Sequence, residues 1–280
     1  LNTSAAGAAS GNGKRERPVY LVFGASGGIG SALVRELTHG SAGSGARVVL
    51  AAKEEGPLQR TAAEAAGKQQ HEQKQQHAAD EAVMTCDALD PQQVESAVST
   101  VLSRYGRLDG VASCVGNVVA KSASATSLDE FRKTLDTNLV TAFNITQAAI
   151  KAMLNQPDGG AVVLVSAAVA EVGIPHFEAM AAAKAGVEGL TRAAAATYAP
   201  RGIRINCVAP GLTTTAQSTG FTEKSDAVRD ASRDMVPLKR FASPADVAMP
   251  MAFLLSPAAN LINGQVLAVD GGLSTLHAAK

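Results

Sequence analysis

The segment Gly24-Ala25-Ser26-Gly27-Gly28-Ile29-Gly30 carries the clearest chemical signal in the chain. It follows a short apolar run, PVYLVF at 18–23, and opens a segment of helical periodicity that ends near Thr38. Glycines at such a junction allow a tight turn and let backbone N–H groups approach a pyrophosphate at a helix N-terminus. A lone glycine fingerprint is weak, but strand–turn–helix is the setting a dinucleotide requires. Gly24, Ser26, Gly28, Ile29 and Gly30 are therefore the first cofactor-binding candidates. A second apolar run, ARVVLAA at 46–52, ends in Ala52 and is followed by Lys53. An acidic residue there would bond the ribose 2′-hydroxyl and repel a 2′-phosphate. Lys53 supplies a cation instead, so NADP(H) is expected over NAD(H), the plain alternative being a solvated surface lysine.

Other reactive residue types point to less. His71 and His77 lie in a Gln-rich polar run, GKQQHEQKQQHAADE at 67–81, which reads as a solvated helix extension or loop. Cys86, Cys114 and Cys207 fall at the ends of predicted strands, and their number and spacing suit buried reduced thiols. No metal site is expected. Lys+Arg and Asp+Glu both total 25, which gives no electrostatic case for nucleic acid or an anionic membrane. No apolar run reaches the roughly 18–20 residues of a membrane span.

The elements that must position the glycine turn follow a simple alternation. After 18–23 and 46–52, apolar runs recur at 81–86, 108–115, 161–166, 203–209 and 265–270, separated by helix-length segments. Val94, Val98, Val101 and Leu102 show the helical spacing of one such crossover. About seven short strands with helical crossovers predict one α/β domain, a Rossmann-type doubly wound parallel sheet over 18–280. Residues 1–17, small, polar and basic, read as a flexible leader. With Leu1 at the start, they suit the remnant of a plastid or mitochondrial transit peptide, the alternative being a cytoplasmic chain.

Further blocks make the chain resemble the short-chain dehydrogenases/reductases, in the flavour of β-ketoacyl-carrier-protein reductases. The resemblance runs from about 18 to 273 and rests on the Gly24, Gly28, Gly30 turn, Asp87, Gly116, DTNLVTAF with Asn138, and AAAKAGVEGLTRA with Lys184. APRGIRINCVAPG at 199–211, PLKRFASPADVA at 237–248 and GQVLAVDGG at 264–272 complete it. It implies that Asp87 bonds the adenine amino group and that Gly116 lies beside the ribose. It also implies that Pro210, Gly211, Thr213 and Thr215 hold the nicotinamide carboxamide. One departure is Ser113-Cys114-Val115-Gly116, where the family has Asn-Asn-Ala-Gly.

The same resemblance exposes a gap. The family uses a tyrosine four residues before the lysine as proton donor, and a serine thirteen before that tyrosine to orient the carbonyl. Lys184 binds the ribose and lowers the tyrosine pKa in that scheme, and Asn138 holds a relay water. Here the two positions are Met180 and Ala167. Tyr20, Tyr105 and Tyr198 belong to distant elements, and alternation turns Ser166 to the opposite face. His176, near the start of the Lys184 helix beside Glu178, is a weak surrogate acid. Enoyl-thioester reductases of the superfamily place their tyrosine seven before the lysine, where FEAMAAAK offers Phe177.

Several functions follow as expectations. One is an oxidoreductase of the carbonyl or 3-oxoacyl type with weakened acid catalysis, acting on a small carbonyl or acyl-thioester substrate. The others are an inactive NADPH-binding pseudoenzyme, a structural subunit of a mixed oligomer, and an enoyl-thioester reductase. The resemblance also implies a homo- or hetero-tetramer. Helices 127–155 and 176–199 are its expected interface, their small residues in AMAAAKAGVEGL and TRAAAATYA permitting close packing.

Overall fold

The computed structural model describes residues 17–40, 45–67, 82–222 and 225–276. His71, His77 and nearly all of the leader lie outside the described residues. The chain runs β1 (Val19–Phe23), α1 (Gly28–His39), β2 (Arg47–Ala52), α2 (Glu55–Gly67), β3 (Val83–Thr85), α3 (Pro91–Tyr105) and β4 (Gly110–Ser113). It continues through α4 (Leu128–Leu135), α5 (Thr141–Met153), β5 (Gly160–Val165), α6 (Glu178–Tyr198) and β6 (Ile203–Pro210). It ends with α7 (Thr219–Thr222), α8 (Asp226–Asp234), α9 (Pro244–Leu255) and β7 (Val266–Val269).

The strands form one seven-stranded sheet in the order β3-β2-β1-β4-β5-β6-β7. Each neighbouring pair is parallel. Strand alternation sends Val19, Leu21 and Phe23 into one core with α3, α5 and α6. Tyr20 and Val22 enter the other, with α1 and α9. Burial on both faces is what makes these strands nearly continuously apolar. The chain order reverses between β1 and β4, and the crevice outside the strand ends at such a switch point is where this architecture binds ligands.

Helix starts are handled unequally. Asp90 caps α3, and Ser127–Glu130 and Ser243–Asp246 form reciprocal capping boxes on α4 and α9. The start of α1 has no side-chain cap and no acidic residue in its first turn. Its N–H groups are thus left for an anion at the switch point.

Three expectations need correction. The segment 127–155 is not one regular helix: Asp136–Val140 is π-helical, with the Thr141 N–H bonding the Asp136 carbonyl. There the Asn138 side chain takes the Thr134 carbonyl at 3.1 Å, competing with the main-chain ladder. Cys207 lies within β6, not at its end. Cys114 is only half-buried, because the chain leaves the ladder after Ser113 and runs along the crevice. All three cysteines are free thiols.

Candidate active site

Backbone contacts that only glycine permits bring the predicted cofactor segments together. Gly24 has φ +72°, and a Cβ there would stand 2.7 Å from the Cys114 carbonyl carbon. The turn after β1 therefore packs directly on the chain leaving β4. A Cβ on Gly30 would overlap the Gly24 carbonyl oxygen. At Gly28 a Cβ would meet Thr215 Cγ2 at 2.7 Å, so the segment after β6 closes onto the same turn. Gln217 extends that closure by donating to the Gly116 carbonyl at 3.2 Å. Behind it, Pro210 ends β6, Gly211 N bonds the Val269 carbonyl at 3.0 Å, and Thr213 bridges to Ala242.

Lys53 and Asp87, read separately in the sequence, are partners. Lys53 Nζ donates to Asp87 Oδ2 at 2.7 Å, and Asp87 Oδ1 accepts from Leu89 N at 3.1 Å. The contact holds the Asp87 carboxyl below its ordinary pKa and the Lys53 ammonium above its own. Lys53 remains 73% exposed, so a ligand can reach it.

Deeper in the crevice, Asn138, Met180 and Lys184 meet. Lys184 is 5% exposed and donates through Nζ to the Val165 carbonyl at 3.0 Å. Burial pulls its pKa from 10.5 down to about 8. A Cβ on Gly116 would lie 3.3 Å from Lys184 Nζ and 2.7 Å from Asn138 Oδ1, so the glycine leaves space at both groups. Asn138 Nδ2 donates to Asn117 Oδ1 at 2.8 Å and approaches Met180 Sδ at 3.6 Å. Asn138 Oδ1 accepts from Asn117 N at 3.2 Å. Asn117, next to Gly116, was not among the sequence candidates; only its amide type and its place after a strand could have marked it.

The remaining candidates contribute little hydrogen-bonding chemistry. Ala167 has an apolar side chain and precedes a short 3₁₀ turn, Ala168–Ala170. Ser166 turns its hydroxyl to Glu188 Oε1, at 2.9 Å, and to the Lys184 carbonyl. His176 is exposed with φ +69°, and its carbonyl, not its ring, is engaged by Lys121 N at 2.6 Å. Phe177 is the residue before α6 and gives that helix no side-chain cap. Tyr20 and Tyr105 line a recess with Arg107, Asp109 and Arg204, residues at the opposite, amino-terminal edge of the sheet. Tyr198 ends α6, far from Met180. Among the described residues no group of His, Cys, Asp and Glu is arranged to hold a metal ion. No helix among them is long and apolar enough to cross a membrane.

Comparison with known proteins matches this architecture. A family model described as enoyl-(acyl carrier protein) reductase covers residues 24–274. D-threitol dehydrogenase of Mycolicibacterium smegmatis is 33% identical over 254 residues, 91% of this chain and 92% of that protein. The 3-oxoacyl-[acyl-carrier-protein] reductase FabG of Thermotoga maritima is 34% identical over 189 residues, 67% of this chain and 74% of its own. Among solved structures, a single-residue variant of actinorhodin polyketide ketoreductase with NADPH superposes with a TM-score of 0.83 at 28% identity, covering 93% of this chain and 98% of that one. Sheet order, glycine turn and these relatives agree: the chain is a FabG-like oxidoreductase of the short-chain dehydrogenase/reductase family.

Proposed function

We propose that the chain binds NADP(H) and works as a slow carbonyl or 3-oxoacyl-type reductase. The observation that carries this reading is Lys184. Moving a lysine pKa from 10.5 to about 8 corresponds to about 3 kcal/mol of lost stability at neutral pH. A bare scaffold would be more stable with an apolar residue at that position. A buried ammonium over the open floor of Gly116 makes sense as a ligand group, and the family's cofactor ribose is the ligand its place in the fold suits.

The rest of the crevice fits the same cofactor. The uncapped start of α1 suits a pyrophosphate, and the contacts of Gly24 and Gly30 let it approach the backbone. Lys53 supplies a cation for a 2′-phosphate, and Asp87 lies beside it where the resemblance puts the adenine. The polyketide reductase relative carries NADPH, which favours the same choice. A reduced nicotinamide, when bound, supplies the hydride that turns a carbonyl into an alkoxide.

Slowness follows from Met180 and Ala167. A thioether is a weak acceptor with no proton to give, and a methyl group offers nothing polar. A positioned acid contributes roughly 10²–10⁴ in rate, and an oriented oxyanion donor about 3 kcal/mol more. An enoyl-thioester reduction is the second reading, favoured by the description of the matching family model. Against it stands Phe177, which lacks the hydroxyl that branch uses. Exposed Leu128, Val140 and Phe143 on the 127–155 face suit the tetramer that the resemblance implies.

The test follows NADPH oxidation with acetoacetyl and crotonyl thioesters, for the native chain and the Met180→Tyr/Ala167→Ser double variant. The reading expects the acetoacetyl thioester to be reduced by both, with the variant faster by roughly 10²-fold or more. Equal rates would refute the impaired site. Reduction of the crotonyl thioester alone would favour the second reading, and tight NADPH binding with no reduction by either form would make the chain a pseudoenzyme.

A further inference from the structure

We propose that in this chain Lys184 is itself the proton donor to the nascent alkoxide, beyond the ribose-binding role the resemblance implies. The inference rests on the reductase reading above. Met180 and Lys184 are both buried on α6, one helical turn apart on one face. Met180 Sδ lies 3.6 Å from Asn138 Nδ2, and a Cβ on Gly116 would touch both Asn138 Oδ1 and Lys184 Nζ, so thioether and ammonium border the same amide. The ammonium carries three N–H groups, and the Val165 carbonyl at 3.0 Å accepts one. The floor beside it is the bare Cα of Gly116.

The neighbouring polar groups are poor competitors. The Asn138 amide is closed onto Asn117, Thr134 and Met180. The Ser166 hydroxyl is committed to Glu188 and the Lys184 carbonyl. The titratable groups around Lys184 are Cys114 at the end of β4, Cys207 in β6, and Glu188 one turn along its own helix. Burial pushes both thiols up to about 12, which makes them weak acids. Glu188 is held by Ser166 and faces Arg192 at 3.7 Å. The lysine, at about 8, is the group whose acidity sits nearest a working pH.

The step balances without a further reactant. A reduced nicotinamide, when bound, would supply a hydride whose C–H bond forms as the C=O π bond breaks, leaving the electron pair on oxygen. One Lys184 Nζ–H bond breaks as the O–H bond forms, leaving a neutral amine. Solvent returns that proton after the product leaves.

The experiment measures kcat at saturating NADPH with the acetoacetyl thioester, from about pH 6 to about pH 10, in H₂O and D₂O. The native chain is compared with Lys184→Arg, and NADPH binding is followed by fluorescence. Native kcat is expected to fall about tenfold per pH unit above a break near 8, with a solvent isotope effect above about 2. Arginine keeps the charge but releases no proton. Because Lys184 also faces the ribose in the reading above, the effect of arginine is read as kcat at saturating NADPH, where roughly 100-fold should be lost whatever the change in binding. A native kcat that is flat through pH 8 with no isotope effect overturns the proposal, and these readouts need no variant to fold. Turnover by Met180→Tyr/Ala167→Ser with none by the native chain at any pH removes both the slow-reductase reading and the proposal, whereas the flat native profile removes the proposal alone. Turnover by neither form removes that reading, and the proposal with it.

Discussion

The Asn138 amide nitrogen lies 3.6 Å from the Met180 thioether sulfur, so the side chain four residues before Lys184 packs on that amide. Asn138 also bonds Asn117 twice and the Thr134 carbonyl once, inside a π-helical turn. Truncating it would leave buried amide groups unsatisfied. Asn138→Ala should therefore destabilise the fold by about 1–3 kcal/mol in urea denaturation. Met180→Leu, which conserves volume, should cost less than about 1.5 kcal/mol. A larger loss for Met180→Leu would mean that the sulfur contact, not the amide network, holds this turn.

The Lys53–Asp87 ion pair bears on coenzyme choice. Its own contribution to stability is small, because Lys53 is exposed. A phosphate contact by the same ammonium is a charge-assisted hydrogen bond of about 1.5–3 kcal/mol. Lys53→Ala should weaken NADPH binding by about tenfold or more and leave NADH within about twofold, read by fluorescence titration of both. An equal loss for the two nucleotides would show that Lys53 does not read the 2′-phosphate.

Lys184 makes stability depend on pH with a definite sign. The folded pKa, about 8, lies below the unfolded 10.5. Below about pH 8 the penalty of the buried charge is fully present. As pH rises from about 8 to 10.5, the unfolded chain holds a proton the folded one has released, so stability rises. Lys184→Met should be more stable than native by about 3 kcal/mol at neutral pH, the difference shrinking towards 10.5. Chemical denaturation of both forms across this range checks it. A native chain that loses stability relative to Lys184→Met as pH falls is the expected sign; the reverse order at neutral pH contradicts the buried-charge account.

Gly116 is a sharper probe of the site than any charged residue. An alanine Cβ would stand 2.7 Å from Asn138 Oδ1 and 3.3 Å from Lys184 Nζ. Both groups must shift, which typically costs about 1–3 kcal/mol. Gly116→Ala should lose NADPH binding by about tenfold or more, on the order of 1.4 kcal/mol, while keeping its far-ultraviolet circular dichroism. Unchanged binding would place the ribose elsewhere.

The sheet was legible because both faces of each strand are covered, so Val48, Val49 and Leu50 or Val162, Val163 and Leu164 appear as unbroken apolar runs. Strand ends were less legible. The run 108–115 extends past β4 because Cys114 and Val115 leave the ladder to meet Gly24, a contact no local pattern announces. The π turn at Asn138 was hidden for the same reason, since its cause includes Asn117, twenty-one positions away. Lys53 and Asp87 each drew notice for a separate role, but their pairing depends on β2 and β3 lying side by side. Met180 and Ala167 were visible as residue types; the direction of the Met180 side chain was not.

The most direct measurement of the central claim is a single turnover with NADPH deuterated at the transferable position and a 3-oxoacyl thioester, analysed for label in the product. The account predicts that the native chain transfers deuterium to the carbonyl carbon, roughly 10²-fold or more slowly than Met180→Tyr/Ala167→Ser. Transfer at equal rates would contradict the impaired site. No transfer at all from a chain saturated with NADPH would contradict the reductase.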